Sequence, residues 1–247
     1  MGKMLLGKTA IVTGGGAGIG KSIVIALAKQ GANIAIADIS EASAAQTAEE
    51  VSALGVKAYP YVCDISKIDT HAAFVEQVER DLGSIDILVN NAGVSFAKTV
   101  LEVTPEMWDF VQGINSRGTF FLTQLVFGKM METKKGRIIN IASISGDRPA
   151  DKSDAAYCVS KAGIIMMSKV FAKAARDTEI TVNSVSPGVI ETELTRKLGS
   201  TVDSDKVPMG RMGQPEEVAE AVVFLASDMA SYVSGQNIRV NGGQFML

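Results

Sequence analysis

The 247-residue sequence has little of what metal centres, disulfide scaffolds and nucleic-acid interfaces require. It contains one histidine and two cysteines, Cys63 and Cys158. Two cysteines are too few for a disulfide framework and show no metal-ligand spacing, so we expect no metal site and a reducing, cytoplasmic location. The net charge is −3, and no run of lysine or arginine exceeds two residues. We therefore expect no nucleic-acid partner.

Long apolar runs are also missing. The uninterrupted apolar stretches fall well short of the ~20 residues that a membrane helix needs. The N-terminal MGKMLLGKTA carries no signal-peptide or lipidation pattern. Hydrophobic residues nevertheless make up 47% of the chain and charged residues only 21%, which is enough for a sizeable core. These features predict a soluble, folded protein that does not bind a membrane.

Short Val/Ile-rich runs alternate with longer helical patterns. Predicted strands, all of them ending in Gly, Asp, Asn, Ser or Pro, cover 9–14, 33–38, 57–64, 85–91, 136–143, 180–187 and 236–243. Predicted helices cover 18–30, 41–54, 67–82, 104–130, 155–176 and 215–226. Near-continuous apolar strands that alternate with helices predict a Rossmann-type, doubly wound parallel α/β sheet with helices on both faces. Since no linker or repeat interrupts the pattern, we expect a single domain over 1–247.

A glycine-rich turn, Thr13–Gly20, connects the first predicted strand to the first helix. Glycines there permit a tight turn and a close approach of the backbone to a pyrophosphate at the helix N-terminus. The carboxylate of Asp38, at the end of the second strand, can accept both ribose hydroxyls of an adenosine and would repel a 2′-phosphate. No arginine or lysine lies in the turn, so the pattern predicts NAD rather than NADP. Alternatively, Asp38 only caps the helix that begins at residue 41.

Tyr157 and Lys161 lie four positions apart in the predicted helix that contains AAYCVSKAG. Side chains at that spacing share one helix face, about one turn or ~6 Å apart. A tyrosine of pKa ~10 is a poor base at neutral pH, but a neighbouring ammonium stabilises the phenolate and lowers that pKa. The pair is a candidate for general acid/base catalysis, although this spacing also occurs by chance.

Two further polar residues belong with this pair. Ser143 ends a predicted strand at the carboxyl edge of the sheet, where doubly wound folds bind ligands, so its hydroxyl can hold a substrate oxygen beside Tyr157. Asn115 is a polar residue within an apolar helical pattern. From its position alone, it is equally well explained as a hydrogen-bonded core amide.

Six motifs occur together in the order and at the spacing of one known family. They are Thr13–Gly20, Asn90-Asn91-Ala92-Gly93, Asn115, Ser143, Tyr157-x-x-x-Lys161 and Pro187-Gly188. Over essentially its full length, the chain resembles the short-chain dehydrogenase/reductase family. Within that family it resembles NAD-dependent polyol or alcohol dehydrogenases and 3-oxoacyl-carrier-protein reductases.

The resemblance implies a role for each member of the candidate catalytic set. Tyr157 would be the general acid/base, and Ser143 would orient the substrate carbonyl. Lys161 would bind the nicotinamide ribose and lower the tyrosine pKa, while Asn115 would hold a water for proton relay. The cofactor-binding residues expected beside Tyr157 and Lys161 are Gly14, Gly16, Gly18, Ile19, Gly20, Asp38, Ile39, Asp64, Ile65, Asn91, Ala92, Gly93, Pro187, Gly188, Ile190 and Thr192. For Asp64 and Thr192, a strand-end cap or turn residue is the alternative.

Two segments are expected to decide the substrate. The segment 145–154, between Ser143 and Tyr157, is unusually charged for the border of an active site. Ser145, Arg148 or Lys152 would contact a polar or anionic substrate there, unless the segment is simply a solvated loop. The second segment, about 190–210, resembles the mobile substrate lid of the family. His71 lies far from every motif and is expected to be a solvated helix residue.

The predicted function is hydride transfer between NAD(H) and a secondary alcohol or ketone of polyol, sugar, diol or hydroxysteroid type. The alternative is an NADPH-dependent 3-oxoacyl-carrier-protein reductase. Those enzymes typically carry an arginine in the glycine turn and another before the sixth strand, where this chain has Gly16-Ala17 and Thr178-Glu179. A remote alternative is a non-catalytic dinucleotide sensor. The resemblance also implies a homotetramer, paired through helices 104–130 and 155–176 and the last strand.

Overall fold

The computed structural model describes residues 2–96, 98–149, 154–193, 195 and 207–246. Within them, seven parallel strands form one sheet of order β3-β2-β1-β4-β5-β6-β7. The strands are β1 Thr9–Thr13, β2 Asn33–Asp38, β3 Ala58–Val62, β4 Ile87–Asn90, β5 Lys135–Ile141, β6 Glu179–Pro187 and β7 Asn237–Val240. Each lies within or beside a run predicted as a strand.

Helices cover both faces of the sheet, which confirms the doubly wound fold. They are α1 Gly18–Lys29, α2 Glu41–Ser52, α3 His71–Leu82, α4 Pro105–Gln112, α5 Thr119–Thr133, α6 Ala155–Ala174 and α7 Pro215–Ala226. The apolar residues of α1, α2 and α7 belong to one core cluster, and those of α3, α5 and α6 to another. Along β1, Ala10 and Val12 join the first cluster and Ile11 the second. The central strands β1 and β4 are almost continuously apolar because both of their faces are buried, whereas the edge strand β3 is partly exposed.

The strand order determines where a ligand-binding crevice lies. β1 lies between β2 and β4, so the chain leaves β1 toward one side of the sheet and later returns on the other. A crevice opens outside the carboxyl ends of the strands at such a reversal, and doubly wound proteins bind their ligands there. The residues that follow β1 and β4, from Gly14 and Asn91 onward, are therefore the ones at the crevice.

The helix predicted over 104–130 is interrupted. α4 ends at Gln112, a π-helical turn covers Gly113–Gly118, and α5 then continues to Thr133. A Cβ at Gly118 would overlap the carbonyl oxygen of Ile65, so this turn lies in direct contact with the loop after β3. Single π-turns inside helices are often found at functional sites, and this one carries Asn115.

α6 is long and apolar. Within the part of the chain that the structure describes, it is the one helix whose length and composition would allow it to cross a membrane. Its Ile164, Met167 and Phe171 pack in the second core cluster, and it also carries the buried Lys161. These contacts are those of a long core helix.

The prediction that His71 is solvated is wrong. His71 begins α3, is 2% exposed, and its Nε2 donates to the carbonyl oxygen of Ile65 at 2.9 Å. Its buried Nδ1 has no hydrogen-bond partner among the described residues. A proton on Nδ1 would place a charge in the interior, and burial accordingly lowers the pKa of His71 below its ordinary value of 6.5.

This burial predicts a pH-dependent loss of stability. Neutral His71 favours the folded protein above pH 6.5, and that contribution is lost as the pH falls below 6.5, because the unfolded chain binds the proton more readily. His71→Gln keeps a donor for Ile65 and cannot be protonated. In urea titrations, we expect the wild type to lose more free energy of unfolding on acidification than His71→Gln. The excess should reach at most ~1.4 kcal/mol per pH unit, the limit for one proton. Parallel pH profiles would contradict this account.

Candidate active site

The glycine turn between β1 and α1 is closely packed. Gly14 has φ +62°, and a Cβ added at Gly20 would overlap the carbonyl oxygen of Gly14. α1 starts at Gly18 after Ala17, which provides no side-chain cap, and its first turn has no acidic residue. The first N–H groups and the positive end of the helix dipole are therefore available to an anion.

Hydrogen bonds join this turn to the end of β4. The Thr13 hydroxyl oxygen accepts from the N–H groups of Asn91 and Ala92 at 3.0 and 3.1 Å. The Asn91 side-chain amide donates to the carbonyl oxygens of Thr13 and Gly14, both at 3.0 Å. The two strand ends that border the crevice are thus held at a fixed separation.

A cavity of about 280 Å³ lies on the β2–β3 side of the turn. Seven residues expected from the sequence to bind a cofactor line it: Gly14, Asp38, Ile39, Asp64, Ile65, Ala92 and Gly93. Asp38 accepts from the N–H groups of Gly16 and Ser40, each at 2.9 Å. Its carboxylate is thereby fixed at the cavity wall, whereas the cap of α2 is Ser40 itself. We call this space the adenosine cavity.

A second cavity, of about 360 Å³, lies over β4, β5 and β6. It shares Gly93 and Val94 with the adenosine cavity. The predicted residues that line it are Ile19, Asn91, Gly93, Ser143, Ser145, Tyr157, Lys161, Pro187, Gly188, Ile190 and Thr192. We call this space the reaction cavity. It brings three of the four expected catalytic side chains to one wall.

Tyr157 and Ser143 both line the reaction cavity. Burial raises the pKa of the Tyr157 phenol, and the neighbouring Ser143 hydroxyl opposes that rise. The Lys161 ammonium lies 5.5 Å from the centroid of the tyrosine ring. That this ammonium lowers the tyrosine pKa, against the rise that burial causes, stays a prediction. At neutral pH the phenol keeps its proton.

Lys161 is itself buried, with 4% exposure. Its Nζ donates to the carbonyl oxygen of Ile141, at the end of β5, at 2.7 Å. Burial lowers the pKa of Lys161 to about 8, so the side chain is largely cationic at neutral pH. A charge held by one carbonyl and poorly solvated acts strongly on groups in the adjoining cavity.

Asn115 holds the loop after β4. Its Oδ1 accepts from the Val94 N–H at 2.8 Å, and its Nδ2 donates to the Val94 carbonyl at 2.9 Å and to Ser160 at 3.0 Å. Val94 borders both cavities, so this amide fixes their shared wall. That Asn115 also organises a water for proton relay stays a prediction.

Comparisons with known proteins agree with this geometry. A family model described as enoyl-(acyl carrier protein) reductase matches residues 14–244. The chain is 39% identical to the 3-oxoacyl-[acyl-carrier-protein] reductase FabG of Thermotoga maritima, over 97% of this chain and 98% of that protein. It is 37% identical to the acetoacetyl-CoA reductase of Shinella zoogloeoides, over 98% of this chain and the whole relative.

A solved structure is equally close. The crystal structure of a short-chain type dehydrogenase/reductase from Mycobacterium marinum superposes with a TM-score of 0.94 at 36% identity, covering 98% of this chain and 97% of that one. The chain belongs to the short-chain dehydrogenase/reductase family. Membership makes this dehydrogenase/reductase an oxidoreductase that uses a nicotinamide dinucleotide to interconvert an alcohol and a carbonyl.

The residues present fit a nicotinamide dinucleotide. A Cβ at Gly93, which lines both cavities, would lie 3.4 Å from Lys161 Nζ, so bare backbone forms the shared wall at this point. The adenosine would be held by Asp38, Ile39, Asp64 and Ile65, and the pyrophosphate by the turn and the start of α1. The nicotinamide half would lie against Tyr157, Lys161 and the Pro187–Thr192 segment.

Of the residues predicted to contact the substrate of this dehydrogenase/reductase, some line the reaction cavity and others do not. Ser145 lines the reaction cavity, whereas Arg148 is exposed and is not among the residues that line it. Part of the loop's charge is structural, since Asp147 lies 2.8 Å from Arg239. Lys152 falls outside the described residues, as do 194 and 196–206 of the expected lid. Thr195, from the described end of that segment, lines the cavity.

Several wall residues escaped the sequence prediction. Cys63, Phe110 and Ile114 line the adenosine cavity, Val94 borders both cavities, and Val189 lines the reaction cavity. Most are apolar, so their chemistry gives no sign of a binding role, and closeness in sequence to a recognised motif was the available signal. Phe110 and Ile114 had one further signal, because residues four apart share a helix face.

Proposed function

We propose that this enzyme reduces 3-oxoacyl thioesters to 3-hydroxyacyl thioesters. The observation that carries the proposal is the reaction cavity, which Tyr157, Ser143 and the buried, cationic Lys161 line together. Full-length relatives named as 3-oxoacyl-carrier-protein and acetoacetyl-CoA reductases support this substrate class. They do not support the polyol, sugar, diol or hydroxysteroid substrates that sequence analysis placed first.

The protein's own groups supply the proton and the placement. The hydroxyls of Ser143 and Tyr157 both donate to the substrate's 3-oxo oxygen, which fixes the carbonyl carbon in the cavity. Because its raised pKa keeps the phenol protonated, Tyr157 can transfer that proton to the oxygen as the alcohol forms. A nicotinamide held against Tyr157 and Lys161 would supply the hydride for the carbonyl carbon. Lys161 stabilises the phenolate left on Tyr157, which then regains a proton from solvent.

Substrate choice is tested with a turnover panel. It contains acetoacetyl-CoA, acetoacetyl-carrier protein, polyols and simple secondary alcohols, each assayed with NAD(H) and NADP(H). We expect kcat/KM for a thioester to exceed that of every polyol, and the two thioester arms to identify the carrier. Preferred oxidation of a polyol would reject the thioester proposal. Tight cofactor binding without turnover of any carbonyl would favour a sensor.

The role of Tyr157 is tested by Tyr157→Phe. The ring and its packing remain, but the transferable proton is lost, so we expect kcat to fall by ~10²–10⁴. The dissociation constant for the cofactor should change little. A variant that turns over normally would remove Tyr157 from the reaction, whatever the substrate.

We propose that NADH is the preferred cofactor. Asp38 presents a fixed carboxylate at the adenosine cavity, where it would repel a 2′-phosphate. A side chain at Gly16 would meet Ser43 Cβ at 2.7 Å and Asp38 Oδ2 at 2.9 Å. An arginine that could neutralise a 2′-phosphate is therefore absent from the turn and could not enter it without displacing these neighbours.

Asp38→Asn tests this preference. The amide oxygen can still accept a hydrogen bond, but the negative charge is gone. Like charges close together at a protein surface repel by ~1–4 kcal/mol, so the ratio of kcat/KM for NADH to that for NADPH should fall roughly tenfold or more. Asp64→Asn, in the same cavity, is the matched control and should leave the ratio unchanged. A wild type that prefers NADPH would refute the proposal.

We also propose a cytoplasmic homotetramer. Exposed apolar side chains cluster on α5 and α6, among them Phe120, Phe121, Met166 and Val170. Burial of that face and of β7 against other copies would remove apolar surface from water. Light scattering should give four times the chain mass for wild type and a smaller species for Phe121→Asp. A monomeric wild type would rule this assembly out.

A further inference from the structure

We infer that Phe110 is the residue that gives this enzyme its affinity for the adenine end of its cofactor, by stacking on the base. The inference rests on the proposed function only in requiring that an adenine nucleotide binds in the adenosine cavity. None of the motifs that identify the family includes Phe110.

Phe110 is the one aromatic side chain among the described residues that line the adenosine cavity. The other side chains there are aliphatic, small or acidic. Phe110 lies on α4, one turn before Ile114, and remains 50% exposed. A phenyl ring that keeps half its surface beside a cavity presents a face suited to a planar base. Aromatic rings stack on nucleobases of any identity, because every base has a π-face.

The ring is held in place from behind. Its centroid lies 5.5 Å from that of Phe96, at an interplanar angle of 43°. Tilted aromatic pairs at this separation attract each other beyond the area they bury. Phe110 therefore has a supporting contact on the side of the loop after β4, while its remaining surface is available to a ligand.

Phe96 is in turn fixed to the helix that carries Tyr157. Its N–H donates to the carboxylate of Asp154 at 2.7 Å. Asp154 is 5% exposed and caps α6 by accepting from the Tyr157 N–H at 3.2 Å. The aromatic wall thus belongs to the same hydrogen-bonded assembly as the catalytic helix, and little ordering is needed when the base binds.

The test separates the adenine end from the rest of the cofactor. Quenching of Trp108, the chain's one tryptophan, reports the dissociation constants of NADH, of ADP-ribose and of reduced nicotinamide mononucleotide, which has no adenosine. For Phe110→Ala, we expect the first two constants to rise roughly tenfold, equivalent to ~1.4 kcal/mol. The constant for the mononucleotide should not change.

Matched variants identify the cause. Phe110→Tyr keeps the aromatic face and should bind NADH like wild type, whereas Phe110→Leu keeps apolar bulk and should bind nearly as weakly as Phe110→Ala. Tyr59→Ala removes a side chain that is 43% exposed on β3 and does not line the cavity, and it should have no effect. Thermal melts and light scattering check that each variant keeps its fold and assembly.

Two outcomes would overturn the inference. Wild-type affinity of Phe110→Ala for NADH would show that the ring does not contact the base, while the proposed reductase activity would stand. Equal weakening of all three ligands, or an altered assembly, would show a general structural role. If wild type bound no adenine nucleotide at all, the proposed function would fail as well, so the two failures are distinguishable.

Discussion

The buried ammonium of Lys161 is the charge around which the site is arranged. A cation removed from water is costly unless the protein provides polar partners, and here the carbonyl of Ile141 provides one at 2.7 Å. That contact requires α6 to lie against the end of β5, and the same helix then brings Tyr157 to Ser143. The bare backbone at Gly93 leaves space beside the ammonium. The position of one charge therefore determines which strand, helix and loop meet at the reaction cavity.

Much of the fold could be predicted from the sequence. Both faces of a parallel sheet are buried, so its central strands occur in the sequence as short, nearly continuous apolar runs. The site followed for a related reason. Motifs at the ends of successive parallel strands meet at one edge of the sheet, so Gly14, Asp38, Asn91 and Ser143 come together without any knowledge of side-chain packing. Only the topology was needed.

What could not be predicted depends on solvation and on close approach. His71 lies among polar neighbours in sequence, yet it is buried and hydrogen-bonded to the carbonyl oxygen of Ile65, six residues earlier. The π-turn at Gly113–Gly118 reflects contact with the loop after β3, which no helical pattern records. The rise that burial causes in the Tyr157 pKa could not be predicted, because spacing indicates that a cation is near but not how much water the phenol loses. The substrate could not be derived from the sequence, because fold and motif are shared across many activities.

Asp154 joins elements that are distant in sequence. One buried carboxylate binds the Phe96 N–H and the Ser95 hydroxyl from the loop after β4, and it also caps α6. Redesign of this enzyme for new substrates is constrained as a result. Changes at positions 95, 96 or 154 would disturb both the orientation of the Tyr157 phenol and the shape of the loop after β4, which borders the two cavities. Val189 and Thr195 line the reaction cavity from the β6 side, so substitutions there can change the shape of that cavity without disturbing the contacts of Asp154.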